Sequence, residues 1–122
     1  MTKSRIELGQ MGEKLACIEL TRMGYKIVTQ NYRCKIGEID VIAEDGETLV
    51  FIEIKTRNKA ETSVVKEAVN IRKQRRIAKV ALVYMKSKGC MDKRVRFDVV
   101  AISLKGNVSH IEIIKNAFDF EI

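Results

Sequence analysis

The sequence predicts an α/β domain in which helices pack on a mixed sheet. Two observations carry this prediction. Apolar residues recur at helical spacing in two long segments and at strand spacing in five short ones, and the segments run in the order helix, three strands, helix, two strands. With 122 residues, 46% of them hydrophobic, the chain has the material for one core, and a single domain over residues 1–122 is expected.

Leu8, Met11, Leu15 and Ile18 repeat every three or four positions ahead of Gly24, which predicts a first helix over about residues 5–23 with a glycine C-cap. Three strands follow, Tyr25 to Arg33, Glu38 to Glu44 and Glu47 to Thr56, the last two joined by a hairpin turn at Asp45-Gly46. Asn70 is the expected N-cap of a second helix reaching about Lys88, since Ile77, Val80, Ala81, Tyr84 and Met85 form one apolar stripe before Gly89. Val95 to Ile102 and Val108 to Ile114 complete the strands around Lys105-Gly106-Asn107, and the tail brings Phe118 and Phe120 for docking.

Lys and Arg outnumber Asp and Glu by 23 to 16, leaving a net charge of +7, which favours a polyanion such as nucleic acid as partner. Cys17, Cys34 and Cys90 are scattered, odd in number and without a CxxC pair. They predict free thiols in a reducing cytoplasm rather than a disulfide framework or a zinc site. The run Val80 to Met85 is too short to span a bilayer, and no secretory leader pattern opens the sequence, so no membrane association is expected. Neither GxGxxG nor GxxxxGK[ST] occurs, which leaves nucleotide cofactors unsupported, and His110 reads as structural.

Against this background the second and third strands are unusual. Asp40, Glu53 and Lys55 interrupt otherwise apolar runs, and burying ionised groups costs several kcal/mol apiece unless partners or a metal compensate. A symmetric hairpin about Asp45-Gly46 sets Asp40 opposite Phe51 and Glu38 opposite Glu53, which places Asp40, Glu53 and Lys55 on one face. Adjacent carboxylates repel, and a divalent cation bound by oxygens, with Mg²⁺ the expected occupant, relieves that repulsion. The plainer reading makes each residue an exposed edge-strand charge, and their grouping in strands this apolar argues against it. Glu13 on the first helix borders a small apolar face, and Lys73 and Gln74 open the stripe of the second helix, so all three are candidates for the same site. Arg33, Lys35, Arg57, Arg72, Lys73, Arg75 and Arg76 flank these segments and are the candidate phosphate contacts.

An Asp followed thirteen residues later by acid-x-Lys resembles the PD-(D/E)xK nuclease pattern. The likeness extends through Gly12-Glu13, Asn31-Tyr32-Arg33, Gly37-Glu38-Ile39-Asp40, Phe51 to Arg57, Lys73 to Arg76, Arg96 to Val99 and Asn116-Ala117-Phe118, blocks similar to the YraN-like family of bacterial proteins. That resemblance implies a restriction-endonuclease-like core related to Holliday-junction resolvases. It also implies Asp40, Glu53 and Glu13 as ligands of Mg²⁺ or Mn²⁺, Lys55 as the catalytic lysine, and Gln74 near them. The implied activity is metal-dependent hydrolysis of DNA phosphodiesters, branched or single-stranded DNA included, by a protein that dimerises as resolvases do. The alternative is a nucleic-acid-binding module with the same fold and no useful cleavage. The loop Asn58 to Ser63 lacks the glycines that relatives often carry and Ile71 replaces a common proline, which affects substrate approach between Arg57 and Lys66.

Overall fold

The structure, a computed structural model, describes residues 2–57, 70–105 and 108–119. Its elements are α1 (Thr2–Arg22), β1 (Lys26–Arg33), β2 (Glu38–Asp45), β3 (Thr48–Arg57), α2 (Ile71–Lys88), β4 (Arg94–Lys105) and β5 (Val108–Phe118). Segments 58–69 and 106–107 and the tail from Phe120 lie outside the described residues, and with them most of the expected substrate approach, part of the last turn and the docking of Phe120.

The five strands form one sheet in sequence order. β3 and β4 run parallel, whereas β1–β2, β2–β3 and β4–β5 are antiparallel, so the sheet is mixed as its element order predicts. Helices cover both faces. α1 packs Ala16 and Leu20 on Val41, Ala43, Val50, Ile52, Val100 and Ile102. α2 packs Ile77, Val80, Ala81, Tyr84 and Met85 on Ile42, Leu49, Phe51, Phe97 and Val99. Because the central strands are buried on both sides, Leu49 to Ile52 and Val99 to Ile102 read as unbroken apolar runs rather than alternating ones.

The helix caps follow the local sequence. Asn70 accepts the Lys73 N–H at 2.9 Å, and Gly89, at φ 65°, carries the left-handed turn that ends α2. The hairpin differs from expectation by one position in its turn. Asp45 pairs with Thr48, so the turn is Gly46-Glu47, with Gly46 first at φ 62°. Glycine rather than Asp45 takes the first central position because a primed turn requires a positive φ there. Ile42 therefore faces Phe51 and Val41 faces Ile52. The difference is two residues in register, an even number, so the paired residues Val41 to Asp45 stay on their expected faces. Alternation breaks at Asp40, since Ile39 joins Ile42 on the α2 side while Val41 joins the α1 side.

β5 also runs past its expected end at Ile114. A bulge opposite Asp98, with Asn116 at φ 54°, lets the strand resume at Phe118, whose ring stacks on Phe97 at 4.8 Å. Asp98 is fully buried, and its carboxylate is satisfied on every side. It accepts from Tyr25 Oη at 2.8 Å, from Arg96 Nε at 2.9 Å and a second guanidinium nitrogen at 3.0 Å, and from the Asn116 N–H at 2.9 Å. The same guanidinium reaches Asp45 at 2.8 Å. Burial and then the Asp98 hydrogen bond push the Tyr25 phenol well above its ordinary pKa.

This network joins the exit of α1, the β2–β3 turn, β4 and β5. Asp98→Ala should lower stability by about 3 to 5 kcal/mol in urea unfolding, because it leaves the Arg96 charge without its buried partner. Tyr25→Phe removes one hydrogen bond, and its expected cost is about 1 to 2 kcal/mol.

Candidate active site

β2 forks. From Val41 onward it pairs with both neighbours, but Glu38 and Ile39 pair only with β1. β3 continues from Glu53 to Arg57 against β4 alone. Where the ladder opens, the Ile54 N–H donates to the Asp40 carboxylate at 2.8 Å, a side chain replacing the missing strand. The fork leaves a cavity of about 480 Å³ between the last residues of β3 and the first half of α1, lined by Glu13, Asp40, Lys55, Thr56 and Arg57 among others.

α1 reaches that cavity because Gly12 is buried against β3, where a Cβ would overlap the Thr56 side chain. This close approach brings Glu13 to the cavity wall. From the other face, Lys73 in the first turn of α2 forms an ion pair with Glu53, which is 7% exposed and would be the next partner of Asp40 if the register continued. Asp40, Glu53, Glu13, Lys55 and Lys73 thus come from four elements to one end of the sheet.

The electrostatics of this end are one-sided. Burial first, then the charge of Glu53, a hydrogen bond shared with it and the charge of Glu13 raise the Asp40 carboxyl to about 7, and the Ile54 N–H only partly offsets them. Glu13 acts on Cys17 in the same sense, adding to the burial that pushes that thiol up. On the cationic side, the Arg57 Nε is buried and has no hydrogen-bond partner among the described residues. A buried guanidinium donor beside a cavity retains the capacity to donate to an oxygen there.

Other expected residues fall differently. Among the described residues, no group of three or more His, Cys, Asp or Glu side chains is arranged to hold a metal ion, while Glu13 lines the same cavity as Asp40 and its charge acts on that carboxyl. Gln74 lines a concavity of about 290 Å³ with Ile71, Arg75 and Phe118. Arg72, Arg75 and Arg76 lie on α2, with Arg76 running over Gly37. Arg33 is exposed and pairs with Glu38 at 3.2 Å, and Lys35 lies in the β1–β2 turn. No helix among the described residues is long and apolar enough to cross a membrane, and Cys17, Cys34 and Cys90 are free thiols. Strand patterning does not single out Asp98, although it carries the same signal as Asp40, an acid inside an apolar strand.

Ionisation of Asp40 sets a measurable pH dependence. Its folded pKa lies above the ordinary carboxylate value, so the native state holds the proton that the unfolded chain releases between about pH 4 and pH 7. Stability from this group is complete below pH 4 and lost as pH rises through 7. In chelator-treated protein, Asp40→Asn should be more stable than wild type at pH 8 by about 1 to 3 kcal/mol, and the difference should shrink steadily as pH falls towards 4. A constant difference across that range would remove Asp40 as the source.

Comparison with known proteins shows where this arrangement belongs. The Uncharacterised protein family UPF0102 matches residues 12–102, a span that contains Glu13, the fork and all of α2. A UPF0102 protein of Syntrophus aciditrophicus is 46% identical over 114 residues, covering 93% of this chain and 90% of its own length. One from Geobacter sulfurreducens is 48% identical over 113 residues, covering 92% and 88%. One from Moorella thermoacetica is 42% identical over 120 residues, covering 97% and 100%. The match to the family over most of the chain, with such relatives end to end, makes this protein a member of the UPF0102 family.

Proposed function

We propose that the protein is a divalent-cation-dependent nuclease that hydrolyses DNA phosphodiester bonds in the cavity at the β2–β3 fork. The observation that carries this reading is the Asp40–Glu53 pair, whose negative charge is incompletely balanced within the fold, set beside Lys55 and the open Arg57 Nε. A restriction-endonuclease-like core, the fold implied by the Asp40, Glu53-x-Lys55 pattern, accords with a mixed sheet whose strands part at the first acid.

The donor chemistry fits a hard cation, since two adjacent carboxylates offer oxygens and gain by its charge. Asp40 and Glu53 would hold Mg²⁺ or Mn²⁺, with Glu13 from α1 lending further negative charge at the cavity wall. Such an ion polarises a phosphoryl oxygen and acidifies bound water. Arg57 would donate from Nε to a phosphate oxygen and fix the diester in the cavity. Lys55 would hold its ammonium beside the reacting phosphate and stabilise the charge that develops there. Outside the cavity, Arg72, Arg75, Arg76 and Lys79 border a concavity of about 450 Å³ with Ile36 and Ile71, a surface suited to flanking phosphates.

The lack of a three-acid cluster among the described residues favours a second reading, a nucleic-acid-binding module without turnover. Cleavage separates the two. Purified protein should cut DNA in Mg²⁺ or Mn²⁺, and Lys55→Ala should reduce the rate by about 100-fold or more with the unfolding midpoint unchanged. Binding without cleavage in either metal would establish the second reading.

In the Lys55→Ala background, DNA affinity should fall with salt along a log-log line. Replacing Arg57, Arg72 and Arg75 by Ala should reduce its slope by roughly 0.7 to 0.9 for each phosphate that is no longer neutralised. A slope that does not move would route the nucleic acid over another surface.

A further inference from the structure

We propose that Lys73 is a resident counter-ion of Glu53 which a divalent cation displaces, so that loading the site frees the first turn of α2 from β3. The inference rests on the cation reading of the Asp40–Glu53 pair and adds to it a gate and a mechanical consequence.

Glu53 is almost fully buried, while Lys73 remains about two-fifths exposed and meets it from outside. Only one of the two charges is therefore committed to the interior. A lysine head is a single positive charge on a flexible stem and can be withdrawn into water with little rearrangement. An ion bridging Asp40 and Glu53 would bring two positive charges to the same carboxylate edge, and an ammonium cannot remain against Glu53 without facing them.

The position of this ion pair gives it leverage. Lys73 lies in the first turn of α2, where its N–H is held by the Asn70 side chain and the Gln74 N–H is bonded to the Asn70 carbonyl. The buried stripe of α2 begins one turn later at Ile77. Releasing Lys73 thus loosens a turn that has little apolar anchorage of its own. The freed ammonium joins Arg72, Arg75 and Arg76 on the helix end proposed above to bind phosphates, so cation loading and polyanion binding would reinforce each other.

The test measures binding rather than cleavage. Mn²⁺ titrations of the full chain by calorimetry, with hydrogen exchange at the Lys73 and Gln74 amides, are compared for wild type, Lys73→Met and Lys73→Gln. The two neutral variants keep a long side chain, and agreement between them excludes a folding artefact. Expected is Mn²⁺ binding about three- to tenfold tighter in both variants, as loss of a partly exposed competing ion pair predicts. Mn²⁺ should speed exchange at these two amides in wild type and leave it unchanged in the variants. Equal or weaker binding by both variants, with wild-type exchange unaffected by Mn²⁺, overturns the counter-ion role while leaving the cation site standing. Failure of wild type and variants alike to bind Mn²⁺ overturns the cation reading and this inference together.

Discussion

The buried carboxylate of Asp98 is the interaction on which the sheet's assembly turns. An ion with no access to water is tolerable only when its lone pairs are occupied, and here Tyr25, Arg96 and the bulged backbone at Asn116 occupy them. Each donor comes with an element attached: the exit of α1, the core strand β4 and the edge strand β5. Through Arg96 the network also holds Asp45 at the β2–β3 turn. One charge thus aligns the ends of four elements, and the bulge that lets Asn116 reach it also returns Phe118 to its stack on Phe97.

Asp40 provides the contrast that marks the fork as the candidate site. Both acids interrupt apolar strands, but Asp40 has a backbone donor and a second carboxylate as neighbour where Asp98 has a guanidinium. The fold neutralises one acid and leaves the other dependent on a proton or a ligand. A satisfied acid and the one at the candidate site have the same appearance in a strand, and the difference lies in what surrounds them.

The fork in β2 explains how such a site is kept within a stable domain. Parallel pairing with β4 supports β3 along its whole length, so β3 tolerates losing β2 after Ile52. The space that opens is then bounded by α1, which Gly12 allows to settle directly on Thr56, and on the other face by the first turn of α2. Two helices on opposite faces can address one position only where the sheet between them is interrupted.

Much of this was determined by the sequence alone. Helical and strand periodicities, the Asn70 and Gly89 caps and the order of elements specify a mixed α/β sheet with two helices, because these signals are local and repeat along the chain. The proximity of Asp40 to Glu53 was also legible, since the hairpin sets those two segments side by side in either register. Tertiary structure decided the rest. Whether an acid is satisfied, as Asp98 is, or left short, as Asp40 is, depends on donors up to 73 residues away in sequence. The pairing of Lys73 with Glu53, the approach of Glu13 to the cavity and the burial of the Arg57 Nε depend likewise on how helices settle against a forked sheet. Periodicity assigns a side chain to a face, but only packing between distant segments sets its neighbours, and for buried charge the neighbours determine the chemistry.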